Sequence, residues 1–322
     1  MHSSSNKFEP SKPISHLVIT GSNGFVGQSV LDFIKNLPRE KGPREITLVS
    51  QAKYSSYNLN DLNIPVSYIS ADLAKPWEFS TPGAHLLNLA ADGSANSYSD
   101  SSAEKFKHIN INLIEWARIN HPSLIVHASS GACFGINGLE EQVVDTNLLE
   151  EGMKVKAKFI DSRIFAEQNL LLLNAQHGIP VSICRLFSFI GVRLLPKHQY
   201  AVSAFLESAI KERKIHLRGN PNTVRSFLDE KDMSNWLWAS LNHPASQAIL
   251  SVGSSRKVTI GELATYIAAQ TGASVDLGNP NAFGDEYVAD NASTQEYLKV
   301  CESKLWKESV DECIEFLRGT HE

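Results

Sequence analysis

The chain has 322 residues, with 30 Lys and Arg against 35 Asp and Glu, and a formal net charge of −5. This balance argues against a nucleic-acid-binding protein, which usually carries a basic excess. No apolar run approaches the roughly 20 residues that a membrane span requires, and the hydrophobic share of 42% is ordinary for a soluble globular protein. The length suits one large α/β domain, or a domain with a smaller lobe.

The N-terminal segment, residues 1–14, has no apolar core and predicts a mobile leader rather than a signal peptide. The cysteines form no C-x-x-C pair and do not adjoin clustered histidines, so no metal site is predicted. Because no secretion signal is recognised, we expect reduced thiols and a cytoplasmic protein. The four cysteines are Cys133, Cys184, Cys301 and Cys313.

Short apolar runs rich in β-branched residues predict buried strands at 16–20, 45–50, 66–70, 85–90, 123–128 and 181–185. Helical stretches between them are predicted at 28–35, 103–120 and 155–176. This alternation predicts an α/β fold with a doubly wound parallel sheet, forming a dinucleotide-binding (Rossmann) domain over residues 15–190. After residue 190, short strands mix with helices at 201–212, 234–241 and 260–270. We therefore expect a smaller C-terminal α/β substrate lobe over 191–322, partly interleaved with the first domain.

A glycine-rich loop, Gly21-Ser-Asn-Gly24-Phe-Val-Gly27, separates the first strand from the first helix. This context is what a dinucleotide-binding loop requires. Gly21 permits the tight turn, Gly24 lets backbone N–H groups approach a diphosphate, and Gly27 lets the helix pack closely on the strand. The helix N-terminus adds partial positive charge. The alternative is a strand–helix turn in which the glycines are incidental.

Further segments follow in an order that resembles the extended short-chain dehydrogenase/reductase family, the NAD(P)-dependent nucleotide-sugar epimerases and dehydratases. They are Ala71-Asp72-Leu73, 86–91, 128–135, 185–191 and 224–232, and the resemblance covers roughly residues 15 to 318. It implies an epimerase or reductase of a nucleotide-linked sugar, an isomerase or oxidoreductase of polysaccharide biosynthesis. The cofactor contacts that it implies are Gly21, Asn23, Gly24, Phe25, Val26, Gly27, Ser50, Asp72, Leu73, Leu89, Ala90, Ala91 and Arg163.

The end of the second strand bears on the choice of nicotinamide cofactor. An acidic residue there would bind the ribose 2′-hydroxyl and favour NAD. Ser50 occupies the position, followed by Gln51 and Lys53. A serine with a nearby lysine can accept a 2′-phosphate, so the sequence favours NADP slightly over NAD. The alternative is that Lys53 is an exposed loop residue with no role in binding.

In the family, a Ser or Thr, a Tyr and a Lys carry the reaction, with the Tyr exchanging a proton with the sugar. Ser130 matches the Ser/Thr position, although a serine that merely ends a strand is the simpler alternative. Glu167 matches a glutamate that follows the family lysine by four residues, which places Arg163 at the Lys position and Phe159 at the Tyr position. Phe159 cannot transfer a proton, and Arg163 keeps the charge but cannot shuttle protons.

Three explanations for this substitution stay open. Phe159 is an engineered inactivating change, which would leave Arg163 unexplained. Alternatively, another acid/base acts near the nicotinamide, with His127, His198 and Tyr200 as candidates. In the third, the protein binds cofactor and nucleotide sugar without turnover, and is catalytically silent.

Positions beside Ser130 also differ from parts of the family. Gly131 and Ala132 stand where the dehydratases carry Asp-Glu, which argues against 4,6-dehydration. Cys133 lies one residue after the cysteine that some epimerases use, and we interpret it as a buried thiol.

On the substrate side, Arg225 matches an arginine that contacts the diphosphate of the nucleotide sugar, a contact that suits a guanidinium. The alternative is a surface salt bridge. Ser188 replaces a common Asn, and we expect it and His198 to contact the substrate, with the loop at 194–201 lining the sugar pocket. The nucleotide base stays open.

The resemblance implies a homodimer that buries two helices from each subunit. The matching helices are those predicted at 103–120 and 155–176. The second is apolar on several sides over Leu170–Leu173. Since docking onto its own sheet needs only one apolar stripe, this surplus predicts a partner.

Overall fold

The computed structural model describes residues 13–51, 59–91, 99–134, 151–196, 200–243 and 248–319. Most of the expected leader, and the candidates Lys53 and His198, lie outside these residues. Within them, no helix combines the length and apolar character that crossing a membrane requires.

The central sheet consists of seven parallel strands, which confirms the predicted doubly wound fold. In chain order these strands are β1 (His16–Thr20), β2 (Glu45–Ser50), β3 (Val66–Ser70), β4 (His85–Asn88), β5 (Leu124–Ser130), β6 (Val181–Leu186) and β10 (Ala248–Val252). Their order across the sheet is β10-β6-β5-β4-β1-β2-β3. The order reverses between β1 and β4, which is where α/β sheets of this kind open a binding crevice.

Helices cover both faces of this sheet. On one face α1 (Phe25–Lys35) packs against α5 (Glu230–Asn242), and on the other α2 (Asp100–Asn120) packs against α3 (Glu151–His177). Buried apolar side chains form a separate core under each pair. The buried strands are Val-, Ile- and Leu-rich because parallel strands in such a fold are covered on both sides.

Most of the remaining elements build a smaller unit with its own apolar core. They are β7 (Ser188–Ile190), α4 (Ala201–Lys211), β8 (Lys214–His216), β9 (Val224–Asp229), β11 (Lys257–Thr259), α6 (Ile260–Thr271), β12 (Ser274–Asp276), β13 (Glu286–Tyr287) and α8 (Trp306–Gly319). In contrast, α7 (Ala292–Leu298) packs against β10 and α5, and its Leu298 belongs to the core under α1 and α5. β10 leaves this part of the chain and pairs with β6 in the central sheet. The boundary at residue 190 stays a prediction.

Several element ends differ from the prediction. α5 begins at Glu230 rather than at 234, because the Asp229 carboxylate accepts a hydrogen bond from the Lys231 backbone N–H (2.8 Å) and caps the helix. β5 runs to Ser130 rather than ending at 128, because Ser129 and Ser130 continue its pairing with β6. Ser130 is therefore the last residue of a central strand.

Candidate functional site

A cleft of about 410 Å³ opens at the C-terminal edge of the sheet, where β1, β2 and β4 end. It is lined by Gly21, Asn23, Gly24, Phe25, Val26, Gly27, Ser50, Gln51, Ala71, Asp72, Leu73, Leu89, Ala90, Ala91, Lys105, Ile109 and Tyr200. Twelve of the thirteen residues predicted to contact a cofactor are in this set, and Arg163 is not. The sequence did not single out Gln51, Lys105 or Ile109 for this site.

The glycine loop has the geometry of a diphosphate cradle. Gly21 adopts a φ of +68°, and a Cβ atom there would lie 2.6 Å from the Leu89 carbonyl oxygen. A Cβ atom on Gly27 would lie 2.6 Å from the Ser22 carbonyl oxygen. Side chains at either position would thus push the loop and α1 away from the ends of β1 and β4.

The N-terminus of α1 is suited to an anion. Gly24 is its N-cap residue, no side chain caps the helix, and the first turn contains no acidic residue. The first backbone N–H groups of a helix have no intrahelical partners, and the helix dipole favours negative charge there. Gly24 to Gly27 also line the cleft. These residues therefore fit the diphosphate of a dinucleotide.

Ser50, the last residue of β2, and Asp72, two residues after β3, also line the cleft. The Ser50 side-chain oxygen lies 2.9 Å from the Tyr68 hydroxyl oxygen. No carboxylate stands at the end of β2, since Gln51 follows Ser50. Asp72 is the one acidic residue among the described residues that line the cleft, and its carboxylate accepts a hydrogen bond from the Ala74 backbone N–H (3.2 Å).

Beneath the cleft, a polar chain crosses three strands. Thr20, Asn88 and His127 are direct neighbours on β1, β4 and β5. The Thr20 hydroxyl donates to the Asn88 side-chain oxygen (2.6 Å), and the Asn88 amide nitrogen lies 2.8 Å from His127 Nδ1. Burial, assisted by the charge of Arg163, lowers the pKa of His127 to about 3. His127 is fully buried and neutral, which argues against it as the alternative acid/base.

Ser130 lies at the start of the predicted catalytic region. Its hydroxyl oxygen accepts a hydrogen bond from the Ala132 backbone N–H (3.2 Å), which shapes the turn after β5. Cys133 is buried within this turn, and burial raises the pKa of its thiol to about 11. It is therefore an unreactive thiol at neutral pH.

Phe159 and Arg163 are neighbours on α3, one turn apart. The central carbon of the Arg163 guanidinium lies 3.4 Å from the centroid of the Phe106 ring on α2 and 4.7 Å from that of the Phe159 ring. Arg163 is only 9% exposed. Cation–π contact with two rings holds the guanidinium between α2 and α3. This packing explains why Arg163 does not line the cleft, where the resemblance had placed it.

A buried ion pair fixes α3 against the sheet. Arg185 on β6 donates from Nε and Nη2 to the two carboxylate oxygens of Glu167 (3.1 and 2.7 Å). The Ser129 hydroxyl donates a third hydrogen bond to Glu167. All three residues are buried. The glutamate that located the motif in the sequence thus joins α3 to β5 and β6 just before Ser130.

The predicted substrate arginine lies in β9 and is held by an acidic neighbour. Arg225 donates to the Asp285 carboxylate (2.7 Å) and to the Val224 carbonyl oxygen (2.8 Å). Lys156, one turn before Phe159 on α3, places its ammonium nitrogen 3.8 Å from the other Asp285 oxygen. Positive charge from α3 and from β9 therefore converges on one carboxylate.

A cluster of aromatic rings lies near the turn that follows Ser130. The Phe187 ring centroid lies 4.9 Å from that of Tyr287 and 6.1 Å from that of Phe134. A Cβ atom on Gly131 would lie 2.7 Å from the Phe187 ring. Ser188 begins β7, directly after this cluster, and is half-buried. Such rings offer a surface on which a sugar or base can stack.

The parallel sheet and its reversal between β1 and β4 define an α/β fold of the Rossmann class. The model of the NAD dependent epimerase/dehydratase family matches residues 17–253, more than half of the chain. The protein therefore belongs to this family, which confirms the resemblance found in the motifs.

Individual relatives are distant. The chain is 22% identical over 264 residues to UDP-glucuronic acid decarboxylase 1 of Danio rerio, covering 81% of this chain and 62% of that protein. It thus spans less than two thirds of that relative. The structure of Thermotoga maritima UDP-glucose 4-epimerase with UDP-glucose is similar at a TM-score of 0.75 and 17% identity, covering 95% of this chain and all of that one. Thermus thermophilus UDP-glucose 4-epimerase, in complex with NAD, is similar at a TM-score of 0.73 and 17% identity, covering 94% and 99%.

Proposed function

We propose that the protein binds a nicotinamide dinucleotide in the cleft and epimerises or reduces a nucleotide-linked sugar beside it. The observation that carries the proposal is the uncapped N-terminus of α1, which opens into a cleft lined by twelve predicted cofactor residues. Bound there, the nicotinamide would accept or supply a hydride. Family membership and relatives that bind UDP-sugars support a sugar nucleotide as substrate.

The proposal includes both NAD and NADP as cofactors. The structure of a relative with NAD supports NAD. The absence of a carboxylate at the end of β2 supports acceptance of the 2′-phosphate of NADP beside Ser50. Calorimetric titration with both dinucleotides tests this choice. Replacement of Ser50 by Asp should then weaken NADP binding far more than NAD binding, because it places a negative charge beside the 2′-phosphate.

In this proposal Ser130 orients the reacting oxygen, and a group other than residue 159 exchanges the proton. Of the alternative acid/base groups, His127 is fully buried within β5, and His198 is outside the described residues. Tyr200 lines the cleft and is 49% exposed. We therefore propose Tyr200 as the acid/base, with the Tyr200→Phe variant, which keeps the ring and removes the hydroxyl, as its test.

The second candidate is a catalytically silent protein that binds cofactor and sugar nucleotide. The observation that favours it is the position of Arg163, whose guanidinium is stacked between Phe106 and Phe159. A charge held in this way stabilises the contact between α2 and α3 rather than acting in the cleft. In this case Phe159 and Arg163, at the positions of the family Tyr and Lys, would have a structural role instead of a catalytic one.

Turnover separates the two candidates. The wild-type protein is assayed against nucleotide 4-keto sugars and hexoses with NAD, NADH, NADP and NADPH. Activity that falls in Ser130→Ala and Tyr200→Phe supports the enzyme, and activity that rises in Phe159→Tyr shows that the site still responds to the family acid/base. No turnover, with no gain in Phe159→Tyr, supports the silent protein. Mass spectrometry of co-purifying molecules identifies the nucleotide and the sugar.

We further propose a homodimer formed through α2 and α3. Leu170 and Leu173, which contributed to the predicted surplus, are buried in the protein's own core. Exposed apolar residues nevertheless remain on both helices, with Ile111 47%, Ile119 78% and Leu172 54% exposed. Light scattering after size exclusion should give twice the chain mass at micromolar concentration, and a monomer would contradict the dimer. The cytoplasmic location predicted from the sequence stays a prediction.

A further inference from the structure

One basic side chain reaches the cofactor cleft from α2. Lys105 and Ile109, which are four residues apart and therefore on the same face of the helix, both line the cleft. Lys105 is half-buried, and among the seventeen lining residues it is the one cation. The sequence analysis did not assign it a role, since a lone lysine on a helix is usually solvated.

Neighbouring lysines are paired, whereas Lys105 has no partner among the described residues. On the same helix, the Lys107 ammonium lies 2.9 Å from the Glu104 carboxylate. Lys158, on α3, pairs with Asp100 at the start of α2. Lys105 makes no hydrogen bond or ion pair with the side chains that the structure describes. Partial burial of an ammonium without a partner is unfavourable, so an anion in the cleft would stabilise it.

The position of Lys105 along α2 can be measured from the contact that this helix makes with the segment 71–73. Asn112, two turns further along, donates to the Leu73 carbonyl oxygen (3.2 Å), beside the segment 71–73. Seven residues of helix place Lys105 about 10 Å from that contact, in the direction of the helix start. α2 follows β4, whereas Ser50 ends β2, on the far side of β1. The contact with the 71–73 segment therefore lies two turns of α2 away from Lys105.

We propose that the Lys105 ammonium binds the diphosphate of the nicotinamide dinucleotide, from the side opposite the N–H groups of α1. This inference rests on the proposed cofactor and adds a residue to its site. The diphosphate would then be held between the partial charge of a helix N-terminus and a full, flexible charge. Arginine preserves that charge, so Lys105→Arg should retain most of the affinity.

The test is calorimetric titration of wild type, Lys105→Met, Lys105→Arg and Lys107→Met with NAD, NADP, ADP-ribose and adenosine. Lys107→Met is the matched control, because it removes an ammonium two residues away on the same helix. We expect Lys105→Met to weaken the binding of NAD, NADP and ADP-ribose by about tenfold each, which is the effect of losing one charge-assisted hydrogen bond. Adenosine, which has no phosphate, should bind equally to all four proteins.

Three results would overturn the inference while leaving the cofactor proposal intact. The first is an unchanged NAD affinity in Lys105→Met. The second is a loss of affinity confined to NADP, which would place the ammonium at the 2′-phosphate. The third is an equal loss of affinity for adenosine, which would indicate a distorted cleft. A wild type that binds neither NAD nor NADP would remove both proposals together. A smaller salt dependence of NAD binding in Lys105→Met would support the charge contact independently.

Discussion

Removing the guanidinium of Arg185 should be one of the most destabilising single changes in the chain. Arg185→Met leaves the Glu167 carboxylate, which is 3% exposed, with the Ser129 hydroxyl as its remaining hydrogen-bond donor among the described residues. Breaking a buried ion pair by removing one partner costs about 3–5 kcal/mol, because the other charge stays desolvated. The lost cation–π contact with Phe134, now at 4.3 Å, adds about 0.5–1 kcal/mol. A typical total stability is only about 5–15 kcal/mol.

Urea unfolding followed by tryptophan fluorescence measures this cost through a double-mutant cycle. The singles are Arg185→Met and Glu167→Met, and the double variant carries both. Because the double leaves no unpaired charge, it should be within about 2 kcal/mol of wild type. The coupling energy should then exceed about 2 kcal/mol. A cost under about 1 kcal/mol for Arg185→Met, or a double variant that loses the sum of both singles, would refute the reasoning.

Three further predictions concern pH and the glycine loop. Burial lowers the pKa of His127 from 6.5 to about 3, so between these pH values the histidine is protonated in the unfolded chain and neutral in the native protein. The free energy of unfolding should therefore decrease as pH falls below 6.5, by at most about 1.4 kcal/mol per pH unit. In His127→Asn, the urea midpoint should no longer show this part of the pH dependence. Burial raises the pKa of Glu230 from 4.5 to about 7, so here the native state binds the extra proton, and stability should decrease as pH rises from 4.5 to 7. Glu230→Gln should remove that slope. Gly21→Ala should weaken NAD binding at least tenfold in calorimetry, whereas Gly83→Ala, at a similar positive φ of +72° but with no atom within 4 Å of its Cβ, should affect stability alone.

The central sheet was predictable because its strands are buried on both faces and read as continuous apolar runs. The runs at 16–20, 45–50 and 66–70 match β1, β2 and β3 residue for residue. The seventh strand, β10, was missed. It lies beyond residue 190 and pairs with β6, more than 60 residues earlier in the chain, and no local pattern reports such a pairing.

The glycine loop was also predictable, because its residues are consecutive and their chemistry is local. The place of Lys105 in the cleft was not predictable, since it depends on how α2 packs relative to the ends of the strands. The predicted helix at 155–176 placed Arg163 on α3, whereas its assignment to the family lysine position by counting from Glu167 stays a prediction. Its stacking on Phe106 required knowledge of which residue of α2 faces α3, and that contact is set by tertiary packing alone.

The central claim is that the N-terminus of α1 and the cleft beside it hold a nicotinamide dinucleotide. Its most direct test is isothermal calorimetry of the folded protein after bound small molecules have been stripped, with NAD and NADP titrated separately. The account predicts saturable binding of at least one of them with a stoichiometry of about one per chain, and binding that is at least tenfold weaker in Gly21→Ala. If correctly folded protein binds neither dinucleotide at millimolar concentration, the account is contradicted.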